Sequence, residues 1–159
     1  MKKFLLLTVI LFCFISCEED IRFNDPAFQG LKNNVFWRAT DFKAKLATNG
    51  SLIIEAYTSN EFLSFTTTSP GKGIYLLGPD SFNIVVYTED RGIYETNYST
   101  SIGGANGEIK ITDYDDINNT ISGTFKFNAI YTETISNEEP NLNFQQGFFY
   151  NVPIVIVGK

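Results

Sequence analysis

Oxygen donors are the densest chemistry-bearing group in this sequence. Asp113, Asp115 and Asp116 fall together in Asp113-Tyr114-Asp115-Asp116-Ile117-Asn118-Asn119. Calcium is held by about six to eight oxygen ligands in loops of this kind. The spacing departs from an EF-hand, because Ile117 stands at a ligand position and no glycine marks the sharp turn. The same residues suit a hairpin turn whose Asp and Asn side chains satisfy nearby backbone N–H groups. That turn is the expected reading, with Asp113, Asp115 and Asp116 as the candidate ligands and no metal expected. Other carboxylates are scattered: Glu55, Glu89, Asp90, Glu95, Glu133, Glu138 and Glu139. A carboxylate-dependent hydrolase needs two acids about 5 to 9 Å apart, and nothing in the sequence joins a chosen pair. There is no histidine. Ser-His-Asp and Cys-His chemistry cannot be built without it.

Aromatic side chains offer a different chemistry. The chain has 15 Phe, 8 Tyr and one Trp. Exposed rings on a β-scaffold stack on sugars, and Trp37, Tyr57, Tyr87 and Tyr94 form the candidate platform because the tyrosines fall opposite apolar partners in their strands. The competing role for rings is core filling and cross-strand pairing, worth about 0.5 to 1.5 kcal/mol per pair beyond the buried area. Gly103-Gly104-Ala105-Asn106-Gly107 lacks the lysine and helix of a phosphate cradle. No cofactor is expected.

The elements that must position these groups have a period of two nearly everywhere. Phe42, Ala44 and Leu46 alternate with Lys43 and Lys45, and Asn49-Gly50 then makes a hairpin turn. Leu52, Ile54 and Ala56 line the next strand. Phe62 to Thr68, Ile74 to Leu77, Phe82-Ile84-Val86 and Ile93 to Tyr98 follow, separated by Gly, Pro and Asp turns. Ile109 and Ile111 oppose Glu108, Lys110 and Thr112. Ile121, Gly123, Phe125, Phe127 and Ala129 share a face opposite Ser122, Thr124, Lys126 and Asn128. A last strand spans Gln146 to Val157, with Pro153 marking an edge or a bulge. No segment keeps a helical period over ten positions. The expectation is an all-β fold, a single antiparallel β-sandwich or flattened barrel of eight to nine strands.

The N-terminus has a separate pattern. Lys2 and Lys3 precede an apolar run from Phe4 to Ile15, and small Ser16 precedes Cys17. This is a secretory signal, too short to span a bilayer, which takes about 20 apolar residues. Phe14-Ile15-Ser16-Cys17 looks like the lipobox of bacterial lipoproteins, with Phe14 where Leu is usual. The expected division is a cleaved signal over 1–16, a lipidated N-terminus and polar tether over 17–30, and an all-β domain over 31–159. The chain from Cys17 onward carries 10 basic and 18 acidic residues, net −8. Phosphate-rich partners would be repelled, so no nucleic acid is expected. With Cys17 acylated and Cys13 removed, no thiol is left for a disulfide or a zinc site.

Several segments resemble a family of small Bacteroidota lipoproteins known only as a domain of unknown function. They are Asn24-Asp25-Pro26-Ala27-Phe28-Gln29-Gly30-Leu31 with Val35-Phe36-Trp37-Arg38-Ala39, and the hairpin Glu108 to Asp115 with Ile121 to Phe127. The closing run Asn143-Phe144-Gln145-Gln146-Gly147 with Phe148-Tyr150-Asn151-Val152-Pro153 completes the set. The resemblance implies a lipoprotein with an all-β domain and carries no catalytic residues with it. Glu18-Glu19-Asp20 also resembles the acidic surface-export signal of many Bacteroidota lipoproteins; the alternative is a solvated acidic spacer. The functional expectation is a non-enzymatic binding or interaction domain at the outer membrane, held by Cys17, with a glycan or envelope protein as partner. The alternatives are a structural accessory subunit of an outer-membrane complex and a carboxylate-dependent hydrolase.

Overall fold

The computed structural model describes residues 27–133 and 140–156. The signal, Cys17, the tether up to Pro26, and Glu138 and Glu139 lie outside the described residues. Eleven strands form one hydrogen-bonded network: β1 (Ala27–Lys32), β2 (Val35–Arg38), β3 (Asp41–Leu46), β4 (Leu52–Tyr57), β5 (Glu61–Thr67), β6 (Gly73–Leu77), β7 (Ile84–Asp90), β8 (Glu95–Ser99), β9 (Asn106–Asp115), β10 (Thr120–Tyr131) and β11 (Asn141–Ile156). The all-β expectation holds. The strand count is higher than expected because β1 and β2 form a hairpin in the segment read as tether and domain entry. Ala27 to Gly30 therefore belong to the sheet. Phe28 is the reason: it is fully buried against Phe65, Phe125 and Phe149.

Two long strands organise the network. β11 pairs with β10 along one edge, and along its other edge first with β1 and then with β3. β10 pairs with β9 and then, at Ile130 and Tyr131, with β8. The result is a six-strand layer, β2-β1-β11-β10-β9-β6, facing a five-strand layer, β3-β4-β5-β7-β8. The layers join at two corners, where β11 passes to β3 and β10 passes to β8. This closed circuit flattens a barrel into a sandwich. One pairing is not antiparallel: β11 runs parallel to β3 from Ile154 to Ile156.

Bulges bend β11 so that it can serve both layers. Its pairing with β10 shifts register at two places, and Gln146 and Asn151, at φ of 49° and 50°, occupy them. An extra residue on one strand kinks it and sharpens its twist. Pro153 sits just after the second bulge, paired with Thr120 on β10 and beyond the last pair with β1. A residue without an N–H is tolerated there.

The core is aromatic and lies between the layers. Phe65 of the five-strand layer meets Phe125, Phe127 and Phe149 of the other at ring separations of 4.8 to 6.5 Å. The phase of β7 differs from expectation. Val85 and Tyr87 point inward, while Ile84 is half-buried, Val86 faces out and Phe82 is exposed in the preceding turn.

Candidate functional site

The predicted platform is split. Trp37 is 5% exposed and Tyr87 is fully buried. They do meet, but inside the fold, around Glu61. Trp37 Nε1 donates to Glu61 Oε2 at 2.6 Å, and the Tyr87 hydroxyl donates to Oε1 at 2.6 Å. Lys32 Nζ donates to Oε1 and to the Tyr87 hydroxyl oxygen, and Thr58 Oγ1 donates to Oε2 at 3.0 Å. Burial pushes the Glu61 carboxyl up, but the bonds from Lys32, Tyr87 and Trp37 and the charge of Lys32 outweigh it and leave the group below its usual value. Burial, with Glu61 beside it, drives the Tyr87 hydroxyl far above its usual range. A carboxylate with four donors has no lone pair left for a substrate proton. The cluster ties β1 and β2 of one layer to β5 and β7 of the other. Glu61 was absent from the carboxylates singled out in sequence. Its only signal there is its position at the start of a strand, after the turn Thr58-Ser59-Asn60 that bonds it.

Tyr57 does face outward, on the five-strand layer. Its ring lies 5.1 Å from Phe62, with Lys43 Nζ 5.2 Å over it. Its hydroxyl donates to Glu55 at 2.8 Å, and Lys45 bonds the same carboxylate at 2.8 Å. Burial and the Glu55 carboxylate push the Tyr57 hydroxyl up to about 12. Glu55 is lowered: burial raises it, and the bonds from Lys45 and Tyr57 more than offset that. Tyr94 is exposed at the β7–β8 turn. Among the other predicted carboxylates, Glu89 stands opposite Glu61 across β5 and β7 and pairs with Arg91 at 3.4 Å.

The three aspartates are not gathered either. Asp113 pairs with Lys72 at 2.7 Å. Asp115 accepts from the backbone N–H groups of Ile117 and Asn118, both at 2.9 Å, and from the Asn118 amide. The Asn118 bonds lower its carboxyl. This is the turn-forming role, and among the described residues no group of three or more His, Cys, Asp or Glu is placed to hold a metal.

The outer face of the six-strand layer carries a groove, which sequence reasoning missed. Asn143, Asn128 and Asn106 stand side by side on β11, β10 and β9. The Asn143 Nδ2 donates to Asn128 Oδ1 at 2.6 Å, and Asn128 Nδ2 donates to Asn106 Oδ1 at 3.1 Å. Gln145 and Gln146 are both exposed although adjacent in a strand, because the bulge at Gln146 breaks the alternation. These amides line a space of about 370 Å³. A second space of about 390 Å³ adjoins it across Lys126 and Gln146, walled by Phe148 and Glu108. Lys126 and Glu108 pair across the strands at 3.2 Å. The signal in sequence was Gln145-Gln146-Gly147, whose backbone geometry could not be read from it.

The fold and its faces define a closed β-sandwich domain with one amide-rich groove and one aromatic–charge patch. The chain belongs to the family described as Domain of unknown function (DUF6252), whose model matches residues 24–153. No curated protein and no solved structure matches it.

Proposed function

We propose that this is a lipoprotein of the cell envelope whose β domain binds a ligand on its six-strand face. The observation that carries the binding role is the bulge at Gln146. A non-glycine residue is held in left-handed backbone, and the result is two successive amides turned to solvent beside a groove. Strain of this kind concentrates at functional sites. The tether rests on the run from Lys2 to Cys17, read as a secretory signal and a bacterial lipobox. Nine residues lie between Cys17 and Ala27. Even fully extended, they hold the domain within about 35 Å of the acylated residue. Two or three acyl chains on Cys17 make such attachment lasting.

The test is metabolic labelling of the native host or a lipoprotein-competent one with alkyne-tagged palmitate. Label on the wild type, loss of label and of membrane fractionation in Cys17→Ala, and a mature N-terminus at Cys17 by mass spectrometry are the expected results. An unacylated N-terminus, or one retaining Met1, overturns the tether. Protease shaving of whole cells then reports whether the domain faces outward at the outer membrane.

A second reading, an accessory subunit of an outer-membrane complex, is favoured by the two ends of the six-strand layer. Val35 and Phe36 on β2, and Ile74 and Leu76 on β6, are all exposed. Apolar edge strands are where other chains add. Cross-linking in intact cells distinguishes it by a stoichiometric protein partner captured through β2 or β6.

A further inference from the structure

We infer that the groove over Gln146 takes a neutral glycan. The inference rests on the binding role proposed above and names its ligand class. Five amides, Asn106, Asn128, Asn143, Gln145 and Gln146, surround the space. A primary amide presents donors and an acceptor in one plane, and that pairing matches neighbouring hydroxyls on a sugar ring. The ladder leaves spare capacity at its ends. Among the described residues, Asn143 Oδ1 and Asn106 Nδ2 have no hydrogen-bond partner, and neither glutamine amide is bonded.

Charge selects against an anionic sugar. Lys126 is the cation of the groove, and Glu108 neutralises it at 3.2 Å. The chain from Cys17 onward carries a net −8, which repels anionic polymers. Shape favours a chain over a compact metabolite, because the two spaces run on from one another across Lys126 and Gln146. Phe148, half-buried on the wall of the second space, offers a ring edge or face to the C–H surface of a sugar.

The experiment uses the mature acylated protein in a detergent without a sugar headgroup. Calorimetry measures binding of malto-, cello-, xylo- and manno-oligosaccharides, with oligogalacturonate as the anionic comparison. At least one neutral oligosaccharide is expected to bind with a Kd of about 1 mM or tighter. Gln146→Gly removes an amide while suiting the left-handed backbone, so the fold is kept. It and Asn128→Ala each should weaken binding about tenfold. Tyr57→Ala, on the opposite layer, should change Kd less than twofold. No binding of any neutral oligosaccharide, a preference for oligogalacturonate, or unchanged affinity in Gln146→Gly each overturns the inference. Loss of binding in Tyr57→Ala alone moves the site to the other face and leaves the binding role standing. Mass spectrometry of the N-terminal peptide on the same sample tests the tether separately.

Discussion

The ring of Phe125 lies directly against the backbone of Gly147, its cross-strand partner on β11, with no room for a Cβ between them. Two pairs further along, the arrangement is reversed. Phe149 of β11 covers Gly123 of β10, and again a Cβ would collide with the ring. Each glycine thus clears the place that a ring from the other strand fills. The two pairs lock the β10–β11 register at the strands that connect both layers. Gly147→Ala and Gly123→Ala should each destabilise the fold by about 1–3 kcal/mol through overpacking. Thermal unfolding followed by circular dichroism measures it. A change below about 0.5 kcal/mol in both would mean that the Phe125 ring, and at Gly123 both the Phe149 ring and the Lys110 carbonyl, give way freely.

The Glu61 cluster gives the acid limb of stability. Its folded pKa lies below the usual 4.5, so the ionised group favours the fold. That contribution is whole above about pH 4.5 and is lost as pH falls below it. Glu61→Gln should flatten the fall in stability as pH drops below about 4.5. At neutral pH it should cost about 3 kcal/mol, because Lys32 and Tyr87 lose a charged partner in a mostly buried site. Urea unfolding across that range tests both statements.

Tyr57 gives a matching effect at high pH. Its folded pKa, about 12, exceeds the usual 10, so the neutral hydroxyl favours the fold. The contribution is intact below pH 10 and fades as pH rises from 10 towards 12. Ultraviolet titration of the phenolate should lose a step near pH 12 in Tyr57→Phe. Glu55→Gln should bring that step back towards 10, since the carboxylate is one cause of the shift.

Asn33 and Asn34 both sit at positive φ in the β1–β2 turn, at 47° and 65°. Their roles differ. Asn33 Oδ1 accepts from the Asn143 N–H at 2.9 Å, and the Asn33 N–H donates to the Asn143 carbonyl at 2.8 Å. Asn34→Gly should leave the melting temperature unchanged or raised, because glycine suits that backbone. Asn33→Gly should lower stability by about 1 kcal/mol through the lost side-chain bond. Equal effects would remove the distinction.

Much of the fold was legible where polar and apolar residues alternate cleanly. Lys43 and Lys45 against Ala44, and Lys126 against Phe125 and Phe127, each declare which face is wet. The Asn49-Gly50 turn declares its hairpin. On β7 the phase is ambiguous, because Ile84 and Val86 are as apolar as Val85 and Tyr87. A core face of Ile84 and Val86 would leave Tyr87 outside as a platform residue, whereas it is fully buried. Trp37 failed for a related reason: its burial depends on Glu61, a partner 24 residues away that local pattern does not reveal. The groove was hidden because it depends on a bulge. Period-two reading puts Gln145 and Gln146 on opposite faces, whereas left-handed backbone at Gln146 puts both in solvent.

The pairing of β1 with β11 sets the order of assembly. Ala27 meets Tyr150, so β1, the first of the described strands, waits for β11, the last of them. β10 and β11 also supply both corners of the closed circuit. Contacts so distant along the chain form slowly, since loop closure must precede them. A chain in which β11 is not yet placed can form hairpins such as β3–β4, but it cannot close. The domain thus stays an open set of hairpins until β11 takes its place between β1, β3 and β10.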